Sequence, residues 1–230
     1  MSGRAVAVTV SVVLVLGAGV VVADRVAASM AERRAVEAVQ ENLDVTGTPS
    51  LSIEGFPFLT QVLAGSLDEV SGSVDGVTLD GGITATDVTF DAQGVQTSEP
   101  YTVSTGTVSA TLPTATLEQV IAEQTDLDVD VSVEGERLVA SGAVLGVDLS
   151  AALTPRVEDG RLLVDVGQMS LGGLTITVDD LPDRIASRLT DLEVPVSGLP
   201  EGLTLTSVAV VPDGARITAT GQDVTLAVAP

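Results

Sequence analysis

The residues of this chain with evident chemical potential are carboxylates. There are 32 Asp and Glu against 10 basic residues, all of them Arg, and the formal net charge is −22. Their densest alternation is TDLDVDVSVEGE at 125–136, which places Asp126, Asp128, Asp130 and Glu134 at even positions. A calcium loop of the EF-hand type would use such oxygens, but it needs Gly at its sixth position, where Val131 stands. Two acids about 5–10 Å apart could cleave a glycoside, yet nothing singles out one pair among 32. Strand alternation accounts for the row more simply. Leu127, Val129, Val131 and Val133 face one way, and the acids form a solvated opposite face. No metal ligand set is assigned.

The absences narrow the chemistry further. The chain has no Cys and no His. It therefore lacks a thiolate nucleophile, a disulfide and a cysteine zinc site, and also the commonest general base and transition-metal ligand. Neither a G-x-S-x-G elbow nor a phosphate-cradling G-x-x-x-x-G-K-[ST] loop occurs. No catalytic residue and no cofactor is assigned, and catalysis by carboxylates alone stays open at this point. The acidic field repels nucleic acid, whose binding depends on neutralised phosphates, and it disfavours electrostatic docking to an anionic membrane. Arg184 and Arg188 lie one helical turn apart, and a solvent-facing role is the simpler reading of two such arginines.

The elements that would position these groups begin with an apolar stretch. Residues 5–23, AVAVTVSVVLVLGAGVVVA, carry no charge. As a helix, such a run spans roughly 28 Å, close to a bilayer's hydrocarbon thickness. It reads as a transmembrane anchor, or as a signal peptide cut after Ala23. The organisation expected is thus residues 1–23 as anchor or signal and 24–230 as one extracytoplasmic domain, on the periplasmic side of the plasma membrane in a cell envelope. Residues 24–43 continue the helix without Gly or Pro, with Val36, Val39 and Leu43 on one face.

Val- and Thr-rich segments then predict strands. They fall at 77–79, 83–90, 101–112, 129–133, 137–151, 161–171, 174–178 and 203–211, followed by the pair ARITAT and DVTLAV. Asp159-Gly160 and Asp213-Gly214 suit hairpins. Two helices interrupt the strands. TLEQVIAEQ, capped by Thr114 or Thr116, presents Leu117, Val120 and Ile121. LPDRIASRLTDL, capped by Asp180 with Pro182 in its first turn, presents Leu181, Ile185, Leu189 and Leu192. The apolar parity of the strands changes in three places: between Ala85 and Val88, between Val103 and Val108, and between Ala219 and Val224. A strict strand keeps one parity, so each change is a candidate bulge or bend, with a loop as the alternative. ITAT-DVTF at 83–90 and ITAT-GQ-DVTL at 217–226 also look alike, a match that common strand composition suffices to explain.

One segment departs from this pattern. IEGFPFLTQVLAG at 53–65 holds two of the chain's three Phe around Pro57, although aromatic residues make up only 2% of the chain. It reads as a turn at Gly55 and a short helix from Pro57 or Leu59 to Ala64, stopped by Gly65. Phe56, Phe58, Leu59, Val62 and Leu63 are too many apolar groups for one stripe. They form either a buried plug at the end of a curved sheet or an apolar wall against a lipid tail.

IEGFPFLTQVLAGSLDEVSGSVDGV resembles the signature of the LmeA-like phospholipid-binding proteins of the actinobacterial cell envelope. The tail LPEGLTLTSVAVVPDGARITATGQDVTLAV is similar to that family's closing hairpins. The resemblance runs from about residue 24 to the end and is loose between about 95 and 180. It implies an α+β fold: an elongated, strongly curved antiparallel sheet wrapped around a few helices, similar to tubular (TULIP-like) lipid-binding domains. It implies non-enzymatic binding of phospholipid, phosphatidylinositol-type lipids included, and a role in lipomannan-type lipoglycan biogenesis beside an envelope glycosyltransferase partner. On that reading Phe56, Phe58, Leu59, Val62 and Leu63 wall or close a groove, together with Leu117, Val120, Ile121, Ile185 and Leu189, and Arg184 or Arg188 meets the headgroup. The alternative is an anchored structural module of the envelope with a fully packed interior.

Overall fold

Branched Val and Thr side chains pack well on pleated surfaces, and the chain is accordingly built mainly of antiparallel strands. The computed structural model describes residues 2–78, 82–125, 128–144, 147–177, 192–194, 196 and 199–225, with the side chains of 2–19, 123–125 and 144 outside that description. In chain order the first half comprises α1 (Ser2–Asn42), β1 (Asp44–Thr46), β2 (Ser50–Glu54), α2 (Phe58–Ala64), β3 (Ser66–Thr78), β4 (Thr84–Gln96), β5 (Thr102–Pro113) and α3 (Thr114–Thr125). The second half comprises β6 (Val129–Glu134), β7 (Arg137–Val144), β8 (Val147–Glu158), β9 (Arg161–Leu171), β10 (Leu174–Thr177), β11 (Leu192–Val194), β12 (Glu201–Val211) and β13 (Gly214–Thr225).

The class is α+β, as expected, but the single curved sheet becomes two open ones. The first has the order β1-β3-β4-β5-β13-β12, with β2 sharing the outer edge of β3; the second has the order β10-β9-β8-β7-β6, with β11 beside β9. The final hairpin β12–β13 adds to β5 and not to the strands just before it, so a long return connection closes the first sheet. The sheets meet where Leu205 and Ala219 of the first pack on Leu162 of the second. α3 seals that junction with Leu117 and Ile121 against Val131, Leu138 and Ala215. α1 and α2 lie at the other end, where Ala28, Ile53 and Phe58 form a separate cluster. Among the described residues, α1 and α2 thus cover one end of the first sheet and α3 covers the junction between the sheets.

Several boundaries differ from expectation. Residues 66–76 belong to the long strand β3, although Ser, Asp and Gly give them little strand propensity; two neighbouring strands hold the segment by pairing. The run 137–151 is two antiparallel strands, with Val144 paired to Val147. ARITAT and the start of DVTLAV form one continuous strand, β13. Thr116 does not cap α3. It lies buried inside the helix and its hydroxyl donates to the Thr84 carbonyl at 2.8 Å. Leu192 starts β11 opposite Val164; the helix expected before it, with Asp180, Leu181, Pro182, Arg184, Ile185, Arg188 and Leu189, lies outside the described residues. On β6 the alternation holds: Val131 is buried, while Asp128, Asp130 and Glu134 are exposed.

The parity changes correspond to two creases across the first sheet. At the first, Asp87 has φ 48° and the β4–β5 register shifts between Thr86 and Thr89, a bulge in β4. At the second, the ladders skip one row in three successive strand pairs: Asp68 and Gly94, Gly94 and Ser104, then Ser104 and Asp223. Gly94 (φ 63°) and Asp223 (φ 50°) take left-handed conformations in that row, which Gly adopts freely and Asp tolerates. The changes seen in β5 and β13 are therefore one structural line, at Ser104 and Asp223, slightly off Gly106 and Gly221. The two similar D-V-T segments share this geometry, since each puts its Asp in the left-handed region at a crease.

Candidate functional site: an apolar groove on the first sheet

Between and beyond the creases, the first sheet carries a groove of about 370 Å³. That volume lies within the ~300–1,000 Å³ typical of small-molecule sites. Leu51 and Val70 line one side, Phe90, Ala92, Gly106 and Val108 the floor, and Val95, Val103, Leu203 and Val224 the far end. Phe90, Ala92, Gly106 and Val108 are even-numbered, whereas Val95 and Val103 are odd-numbered. A flat sheet would send the two sets to opposite faces. The crease at Gly94 and Ser104 turns both onto one surface, and this makes the groove continuous.

The floor is open because its residues are small. Phe90 pairs across the ladder with Gly72 and with Val108. A Cβ on Gly72 would fall 2.5 Å from the Phe90 ring and 2.7 Å from the Ser50 carbonyl, so only Gly lets this ring lie flat over β3. Next to it the register aligns Val70, Ala92, Gly106 and Gly221. Such a row leaves space that a Leu or Ile row would fill to the density of an ordinary core. Val103 and Val224 at the far end are buried, Val224 to 2% exposure. Asp91 and Thr107 are the polar members of the lining; its other residues offer burial of apolar surface, at about 0.8 kcal/mol per CH₂.

The residues named from the sequence are dispersed. Phe58 is buried at 7% exposure, in the cluster with Ala28 and Ile53. Phe56 is 54% exposed, and Leu59, Val62 and Leu63 also project outward; none of these five lines the groove. Leu117 and Ile121 belong to the junction between the sheets, and Val120 is half-buried on the same helix. Ile185, Leu189, Arg184 and Arg188 lie outside the described residues.

Phe90, Val103, Leu203 and Val224 were overlooked as site residues. The available signal was the third Phe of the chain, bracketed by two parity changes. A second overlooked residue is Asp24, the first charge after the apolar run. It is buried at 1% exposure, and its carboxylate accepts from the N–H groups of Phe58 (3.0 Å) and Leu59 (2.9 Å). Pro57 at the start of α2 supplies no side-chain cap, so α1 caps α2 from a distance. Glu32 of α1 also accepts from the Ile53 N–H at 2.9 Å, and the Arg25 guanidinium donates to the Gly55 carbonyl at 2.9 Å. Gln61 then ties α2 to β3, its Oε1 accepting from the Asp68 N–H at 2.8 Å.

An antiparallel α+β body with an apolar trough on one sheet has the architecture of a protein that holds an apolar ligand. The chain belongs to the LmeA-like phospholipid-binding family, whose model matches residues 22–220. The match covers most of the chain and supports lipid binding as its activity. No curated protein and no solved structure gives a match. Among the described residues no helix is long and apolar enough to cross a membrane; the side chains of most of the run 5–23 lie outside them.

Proposed function

We propose that the groove on the first sheet holds one acyl chain of a phospholipid, with the headgroup left at its mouth. The observation that carries this reading is the groove itself: an apolar trough with Phe90 on its floor, in a member of a phospholipid-binding family. Ten or so methylenes buried at about 0.8 kcal/mol each give a gross gain near 8 kcal/mol, from which the cost of ordering the chain is subtracted. The two sheets then act as a tubular, TULIP-like lipid carrier. Residues 5–23 anchor residues 24–230 to the outer side of the plasma membrane, or release them after cleavage. The protein binds lipid, phosphatidylinositol-type included, for envelope lipid or lipomannan-type biogenesis, beside a glycosyltransferase.

The test is native mass spectrometry of the purified protein, followed by uptake of labelled phospholipid from vesicles. Co-purified lipid and saturable uptake are expected. A protein that carries no lipid and takes none up overturns the reading. The rival, a structural module with a filled interior, accounts for the junction between the sheets but leaves the open trough unexplained.

A further inference from the structure

We infer that α2 is a membrane-docking element whose outer face rests in the interfacial layer of a lipid bilayer. α2 buries only Phe58 and Gln61, while Leu59, Val62 and Leu63 face out, Leu63 at 87% exposure. Leu59 and Leu63 lie one turn apart and so project together, with Phe56 exposed just ahead of them. Gln61 is satisfied by the Glu54 carbonyl and the Asp68 N–H, so the unbalanced feature is the outer apolar face, an exposed patch of the kind that marks an interaction surface. Residues 55–67 carry no charge in a chain of net charge −22, so this stretch escapes the repulsion that keeps the rest of the surface off anionic lipid.

The occupant is identified by where α2 is fastened. Its first turn is capped by Asp24, the first charged residue after the uncharged run 5–23. Arg25 bonds the Gly55 carbonyl and stacks on Phe56, 5.2 Å from ring centroid to guanidinium carbon. α2 is thus held at the level where the apolar part of α1 ends. If that run enters a bilayer, as proposed above, the leucines of α2 lie at the depth where the interface begins. Arg25 then sits at headgroup height, where a guanidinium keeps its charge wet over an apolar stem. This inference rests on the anchoring reading but not on what the groove contains.

The absence of native Cys permits a direct test with the full-length chain. Single variants Leu59→Cys, Leu63→Cys, Val13→Cys and Glu136→Cys carry an environment-sensitive fluorophore in vesicles of phosphatidylcholine and phosphatidylglycerol. Glu136 is exposed in the β6–β7 turn and serves as the remote control. The expected result is that the labels at 59 and 63 shift to the blue, lose most of their emission to lipid carrying a shallow nitroxide, and resist aqueous iodide. The label at 136 should behave oppositely. Iodide quenching at 63 alongside deep-nitroxide quenching at 13 overturns the docking of α2 and leaves the anchor standing. Shielding of 63 from both quenchers overturns it in favour of a protein partner or second copy. Absence of lipid quenching at both 13 and 63 overturns docking and anchoring together, and lipid uptake by the groove is scored separately in each sample.

Discussion

Replacing Gly106 by Leu separates an open groove from a filled interior. A Cβ on Gly106 would meet Val103 and Val224 at 3.8 Å and Leu203 at 3.9 Å, all ordinary contacts with groove-lining side chains. Gly106 is not among the glycines with positive φ, so a larger residue fits its backbone. The remaining carbons of Leu would project into the trough and displace about four methylenes of a bound chain, about 3 kcal/mol at ~0.8 kcal/mol each. That is roughly 200-fold in Kd. Folding should move the other way. Removing Gly from a strand interior gains about 0.5–1 kcal/mol, and burying the Leu against Val103 and Val224 adds to this. The assay pairs fluorescent-phospholipid binding with thermal melting, where each kcal/mol corresponds to about 2–4 °C in a chain of this size. Weaker binding with an unchanged or higher Tm is expected. Unchanged affinity with a raised Tm would refute the placement of the lipid over Gly106. A fall of several degrees would refute the open groove, because overpacking a filled core costs about 1–3 kcal/mol.

Five further substitutions probe the supports of the site. Gly72→Ala should displace the Phe90 ring, costing about 1–3 kcal/mol and lowering lipid uptake; Phe90→Ala in the same chain should recover part of the stability, which a double-mutant cycle by denaturant titration would detect. Asp24→Ala should leave two N–H groups of α2 without an acceptor and lower stability by about 1–3 kcal/mol, read as a lower Tm. Phe58→Ala should cost about 3–5 kcal/mol by opening a cavity beside Ala28 and Ile53, whereas Phe56→Ala, at an exposed site, should stay within about 0.5 kcal/mol. Equal effects at 56 and 58 would refute the division between buried and outward residues in this segment.

Local patterns were legible in the sequence because they are set by short-range physics. The helix 24–43, the stop at Gly65, the hairpin at Asp159-Gly160 and the inward face of β6 follow from side-chain period and turn chemistry. The bulge at Asp87 was also legible, since an inserted residue reverses parity on the spot. The short helix in IEGFPFLTQVLAG was legible too, and its family resemblance led to the right family over residues 22–220.

What those side chains face was decided only by tertiary structure. Five apolar residues in one short segment cannot reveal which of them meets a core, because that depends on α1, which arrives from more than thirty residues away through Asp24. Nor could composition reveal the groove. Its floor depends on register across β3, β4, β5 and β13, which sets Gly72 under Phe90 and aligns Gly94, Ser104 and Asp223 in one crease. Apolar content determined that this chain would bury a large surface. Long-range strand pairing determined that part of that surface would remain open as a trough, because parity within one strand carries no information about the strand beside it.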